Sequence, residues 1–219
     1  MSHDRNAARR NILDATERLL GRYGYRKMTV EDIAVEAGIG KGTVYLSFPS
    51  KEEVVLGTVD RIVDAVCEEM ARIGSSGGAA PARLRAMLMA RVLVRFDRVS
   101  SYREGLSDLL SAIRGSLLER RRLHFEREIA ILARVMRDGQ EAGEIVPGAP
   151  GRLARSLLLA TNNFLPYALS PRELGDRRSL QRDARDVADL LVAALSSTRH
   201  VHATAAAGRT AAASKGALR

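Results

Sequence analysis

Lys41, Gly42, Thr43, Tyr45 and Ser47 bring an ammonium group, three hydroxyls and one bare stretch of backbone to one side of a short segment, 41–48. On its other side Val44 and Phe48, four residues apart, form an apolar edge that must be buried if the segment is helical. Small donors and acceptors on one face, anchored by two apolar residues on the other, suit docking onto a surface rich in polar edges. The bases of a nucleic acid offer such a surface.

The flanking residues hold this segment in place. Val30–Ala37 reads as a short helix with Ile33, Ala34 and Ala37 on one face. Thr29 and Asp32 give it the Thr-x-x-acid capping pattern. Gly38 is placed to end it, because the residue after a helix often takes a positive φ, which glycine adopts without strain. Pro49 ends the second helix, and Ser50 with Glu53 caps the next. Two helices across a tight glycine turn make a helix-turn-helix, whose second helix enters the DNA major groove.

The rest of the chain supplies a body. Its 219 residues suffice to bury a core without disulfides. Aromatics are only 4%, so the core must come from Leu, Val, Ile, Ala and Met, and the patterning favours an all-α fold. A single cysteine excludes an internal disulfide framework and fits a reducing, cytoplasmic setting. The opening residues lack the apolar core of a signal peptide, and no apolar run reaches membrane-spanning length. The net charge of +9 is unevenly placed: residues 1–51 hold nine basic and six acidic side chains, while 199–219 hold four basic and no acidic ones. The high pI is thus weak support for nucleic acid, and the helix-turn-helix must carry that case.

In order, helix 1 is expected over Asn6–Tyr23 with Gly24 as its cap. Arg5, Arg9 and Arg10 read equally as a solvated face or as an arm on phosphates. Helix 4 runs from Ser50 to Ile73 on a Val55, Val59, Ile62, Val66, Met70 stripe, with Cys67 beside it as a small core residue. Residues 74–81 form the clearest loop. Helices follow over 81–99, a short piece ended by Gly115, and a long helix capped by Ser116 and Glu119. Next come a helix over 152–169 that Pro166 should kink or end, and a last one over 179–197. The last carries Leu180, Ala184, Val187, Leu191 and Ala194 at coiled-coil spacing, equally a core stripe or a partner seam. Residues 199–219 read as a disordered basic tail. The expected division is 1–50 for DNA binding, 51–73 for a linking helix, 74–198 for effector binding and dimerisation, and 199–219 for the tail.

No constellation looks catalytic. Gly38, Gly40 and Gly42-Thr43 superficially resemble a phosphate loop, but a helix precedes them and the order is Gly-Lys-Gly-Thr. There is no nucleophile elbow, no zinc-type His/Glu helix and no cysteine pair, so neither catalytic nor metal residues are assigned and no cofactor is implied. His124 beside Arg120, Arg121 and Arg122 reads as a basic solvated turn, with contact to an acidic ligand as the alternative.

The stretch Ile12–Leu56 resembles the TetR family of one-component bacterial transcription regulators. Carrying the resemblance are the helix 1 pattern, Thr29-Val30-Glu31-Asp32-Ile33-Ala34 and Ala37-Gly38-Ile39-Gly40-Lys41-Gly42-Thr43-Val44-Tyr45. Phe48, Ser50, Lys51, Glu52 and Glu53 complete it. The resemblance implies a homodimer. Each subunit would have a three-helix DNA-binding domain and a six-helix ligand-binding and dimerisation domain, joined to its partner through the last two helices. By position, Thr29 would contact phosphate. Lys41, Gly42 and Thr43 would open the recognition helix in the major groove, and Tyr45 and Lys51 would grip phosphates. Ser47 stands where the family often has His and Leu46 where it often has an aromatic; Gly40 stands where a capping Ser is common.

The implied mechanism is a repressor on a palindromic double-stranded DNA operator, released by a small-molecule effector. The effector would bind among helices 4 to 8, with Met87, Phe96, Tyr102, Leu109, Phe125, Met136, Asn162, Phe164 and Tyr167 as candidates and plain core as their alternative. Scarce aromatics speak against a cage for flat cations and leave an aliphatic or acyl ligand. The competing reading is an all-helical ligand-binding module without specific DNA recognition.

Overall fold

The computed structural model describes residues 2–100, 106–165 and 175–196. Nine α-helices make up the described residues: α1 (Ser2–Lys27), α2 (Val30–Ala37), α3 (Lys41–Ser47), α4 (Lys51–Gly74), α5 (Ala80–Val99), α6 (Leu106–Ala112), α7 (Arg114–Glu141), α8 (Pro150–Ala160) and α9 (Arg177–Leu195). No strand occurs among them; the turn after α7 and the end of α9 share one isolated bridge, Ile145 to Ser196.

The amino-terminal helices form as their caps dictate. Gly24 (φ 70°) breaks the helical path of α1, which continues as a turn to Lys27. Ile12, Leu13, Thr16, Leu19 and Leu20 face inward, whereas Tyr23, expected on the same stripe, is exposed. At the start of α2 the Asp32 amide donates to Thr29 Oγ1 (3.1 Å) and the Thr29 amide donates to Asp32 Oδ2 (2.8 Å). Gly38 (φ 68°, ψ 32°) takes the left-handed conformation, and its N–H returns to the carbonyls of Ala34 and Val35. Ser50 caps α4 by accepting from the Glu53 amide.

The apolar core forms two connected clusters. One joins α1–α3 and the start of α4 to Val92, Phe96 and Val99 of α5, Leu106 and Leu109 of α6, Leu165, and Leu180 and Ala184 of α9. The other fills the distal half: Val66 and Met70 of α4, Leu84, Met87 and Leu88 of α5, Ile129, Leu132 and Met136 of α7, Leu157 and Leu158 of α8, and Ala188 and Val192 of α9. The helix-turn-helix therefore shares a core with the helices beyond it. Cys67 is buried as expected of a core residue, and burial pushes its thiol upward.

Four expectations are corrected. Gly115 does not break a helix: α6 ends at Ala112, and α7 starts at Arg114 after a turn residue, Ile113 (φ −104°, ψ 10°). Ser116 lies inside α7, where its hydroxyl bonds Glu52 of α4 (2.6 Å) instead of capping. The helix expected over 152–169 already ends at Ala160; Thr161 leaves helical geometry and Asn162–Phe164 forms one 3₁₀ turn, so Pro166 is not what stops it. His124 sits on α7, with a ring nitrogen 2.8 Å from Asp60 of α4, so it is an internal bridge and not a solvated turn. The expected tail, 199–219, lies outside the described residues.

Candidate nucleic-acid interface

α3 is seven residues long, far too short to be stable alone, so its neighbours must hold it. Val44 and Phe48 provide the hold and are both buried. Gly57 of α4 lies under Phe48 so closely that a Cβ there would meet the ring at 2.7 Å. Arg9 of α1 supplies a further tie. Its guanidinium donates to the Ser47 carbonyl (3.2 Å) at the carboxyl end of α3 and lies 4.0 Å from the centre of the Phe48 ring. A cation beside the last carbonyls of a helix complements its dipole. The sequence left Arg9 open between solvated face and phosphate arm; the fold gives it a positioning role.

The outer face is open. Lys41, Gly42, Tyr45 and Leu46 are exposed, and Thr43 and Ser47 are partly so. Gly40 precedes α3 without a side-chain cap, and nothing lies within 4 Å of where a Cβ on Gly40 or Gly42 would stand. α3 can therefore bring its backbone close to a partner surface.

The charges show how this face is prepared. The Lys41 ammonium is ion-paired with Glu31 on α2. The pairing raises the Lys41 ammonium above its ordinary value and lowers the Glu31 carboxyl. The candidate base reader is thus held by a carboxylate until something displaces it. Thr29 is engaged by Asp32, whose carboxyl is lowered by the hydrogen bonds from the Thr29 hydroxyl and amide. Lys51 points inward: its ammonium donates to the carbonyls of Tyr25 and Met28 (both 3.1 Å) and lies 4.2 Å from the centre of the Tyr25 ring. It ties the start of α4 to the α1–α2 connection, a use different from the phosphate contact the resemblance implied.

The effector candidates are not gathered into one place. Phe96, Leu109 and Phe164 belong to the cluster shared with α1–α3; Met87, Phe125 and Met136 belong to the distal one. Asn162 accepts from Arg91 Nη2 (2.8 Å). Tyr102 and Tyr167 lie outside the described residues.

What sequence reading missed is polar. Arg91 and Arg95 of α5 and Glu128 of α7 are all buried. Arg91 Nε donates to Glu128 Oε2 (2.6 Å), and its Nη1 donates to Thr161 Oγ1 (2.9 Å). Arg95 pairs with the other Glu128 oxygen and donates to the Arg91 carbonyl (2.9 Å). Burial alone would raise the Glu128 carboxyl; the two guanidinium groups outweigh it and hold it below its ordinary value. The signal was present. Arg91 and Arg95 fall on the register of the apolar stripe Leu84, Leu88, Val92, Phe96, and Glu128 sits beside Ile129 in that of α7.

Among the described residues no group of three or more His, Cys, Asp or Glu side chains could hold a metal ion. Among the described residues no helix is long and apolar enough to cross a membrane.

Comparison with known proteins agrees with this geometry. The family model for bacterial regulatory proteins of the tetR family matches residues 12–58, which span α1 to the start of α4. The Bacillus subtilis fatty acid metabolism regulator protein is 24% identical over 152 residues, 68% of this chain and 77% of that protein. The regulator EthR of Mycolicibacterium smegmatis is 42% identical over 60 residues, 27% of this chain and 26% of EthR, so the chain spans only a quarter of that relative. The structure of SmeT in complex with triclosan superposes with a TM-score of 0.63 at 26% identity, covering 88% of this chain and 93% of SmeT. With the helix-turn-helix built as described, residues 12–58 match the tetR family of bacterial regulatory proteins, and the protein is a DNA-binding transcriptional regulator.

Proposed function

We propose that the chain is a homodimeric repressor whose two α3 helices occupy successive major grooves of a palindromic operator and leave when a small molecule binds within α4–α9. The observation that carries this is the outer face of α3: Lys41, Gly42, Thr43 and Tyr45 stand free of the core while Val44 and Phe48 anchor the helix from behind. Lys41 donates to guanine acceptors once Glu31 is displaced, and the Thr43 methyl suits thymine. Thr29 and Tyr45 contact phosphates and fix the register.

Dimerisation through α8 and α9 is supported by their exposed leucines, Leu159 and Leu190, the latter 73% exposed. The expected seam shifts by a face. Leu180, Ala184, Ala188 and Val192 are spent inside the chain, which leaves Val187, Leu190 and Ala194 for a partner. Release follows from the shared core: Phe96 and Leu109, which an effector would displace, pack in the same cluster as Ile12, Phe48 and Val55. α4 therefore cannot shift without carrying α1–α3. SmeT, whose complex with triclosan has this fold, supports a small apolar effector. The division at residues 50, 73 and 198 and a cytoplasmic site of action belong to this proposal.

The test is binding of the full chain to duplex selected from a random library, measured against salt. Sequence-selective binding that weakens steeply as salt rises is expected from counterion release. If no duplex is bound better than random DNA at moderate salt, the reading fails and the module without DNA recognition takes its place.

A further inference from the structure

Leu46 is the most exposed of the large apolar side chains described, at 90%. It stands on α3, whose inward side is set by Val44. At about 100° per residue, Leu46 and Gly42 each lie roughly 160° from Val44, on either side of the same outermost line. They are one turn apart on the part of α3 that reaches furthest from the protein. Gly42 offers bare backbone with open space above it, and Leu46 an isobutyl group that no other residue covers. Lys41 and Tyr45 flank this line on one side and Thr43 on the other.

A leucine here has one apolar feature to meet in a major groove, the 5-methyl of thymine; every other base edge there presents polar atoms. Against guanine or adenine the leucine would desolvate acceptors and return no hydrogen bond, so it also rejects those bases. The phosphate backbone offers it nothing. We propose that Leu46 is a specificity-determining residue that packs on a thymine methyl and selects T at one position of each half-site. The inference rests on α3 entering the major groove, as proposed above. Bare Gly42 is what lets α3 approach closely enough for the contact.

The experiment begins with sites selected by the full-length wild type. Each thymine is then replaced singly by deoxyuridine, which removes the methyl and keeps the base's hydrogen-bonding groups. Wild-type affinity is expected to fall about three- to tenfold at one thymine per half-site, the worth of roughly one buried methyl. Leu46→Ala should bind the thymine and uracil forms equally at that position, with an unchanged thermal midpoint. Leu46→Gln should move the preference there toward adenine. Equal penalties in wild type and Leu46→Ala at every thymine, or a selected site without thymine, overturn the assignment while leaving α3 as the reading helix. Failure of the wild type to select any sequence removes the DNA reading itself and this inference with it.

Discussion

The helix-turn-helix and the α5–α7–α8 centre use charge in opposite ways. In the first, the charged and polar groups proposed to contact DNA lie outside, and the buried side chains of α2 and α3 are apolar. Val44 and Phe48 are buried, and Lys41, Thr43 and Tyr45 lie on the other side of α3. In the second, charge lies inside: Arg91, Arg95 and Glu128 occupy core positions among Met87, Leu88, Val92 and Leu132. An exposed charge costs little to place and little to move, so it suits recognition. A buried charge is held by the groups that desolvate it, so it suits a junction with one arrangement. The exposed Lys41–Glu31 pair can open at little cost; the Arg91–Glu128–Arg95 group cannot open without disturbing three helices.

Breaking the inner group should have the largest effect. Glu128→Ala leaves two buried guanidinium groups facing each other and should cost about 3–5 kcal/mol in urea unfolding. A loss below about 1 kcal/mol would mean that water reaches the site and that the contrast with α3 is false. The pH dependence has a definite sign. The Glu128 carboxyl titrates below its ordinary value when folded, so its contribution is full above the unfolded-state value and is lost as pH falls through the folded one. Wild-type stability should therefore fall in acid more steeply than that of Glu128→Gln.

Next is the anchor of the outer face. Gly57→Ala places a methyl against the Phe48 ring, and overpacking of this kind costs about 1–3 kcal/mol. Because Phe48 ends α3, DNA affinity should drop with stability, and a second-site Phe48→Leu should restore part of both. Unchanged affinity in Gly57→Ala would show that α3 does not depend on its rear contacts.

Lys51→Ala separates two roles. A phosphate contact would lower the log–log salt slope of DNA binding by about 1. The structure instead expects an unchanged slope and a stability loss on the order of 1 kcal/mol, from the lost bonds to the Tyr25 and Met28 carbonyls. The smallest effect on the fold belongs to Glu31→Gln. It should leave the unfolding midpoint alone, free Lys41, and raise affinity for random duplex by up to about tenfold at low salt, with the gain vanishing at high salt. No gain at low salt would mean that the Glu31 pair does not restrain Lys41.

The division between local and non-local information follows these two regions. The helix-turn-helix was legible almost residue by residue, because capping boxes, positive-φ glycines and anchor spacing act within three or four residues of each other: Thr29 with Asp32, Gly38 with Ala34, Ser50 with Glu53. The all-α class and most helix spans were legible from the same periodicity. What the sequence could not show is how a side chain is spent across the fold. Lys51 reads as a surface cation until the α1–α2 connection comes beside it, and Arg9 as a loose arm until α3 ends against it. Arg91 and Glu128 lie 37 residues apart; the apolar register of each helix marks both for burial, but only the packing of α5 on α7 makes them a pair. Likewise the stripe on α9 was plain, but which side of it the chain itself consumes was decided by α5, which takes Leu180, Ala184, Ala188 and Val192. Local hydrogen bonds and spacing determine where helices start and stop; desolvation, which depends on what arrives from far along the chain, determines what their charges do.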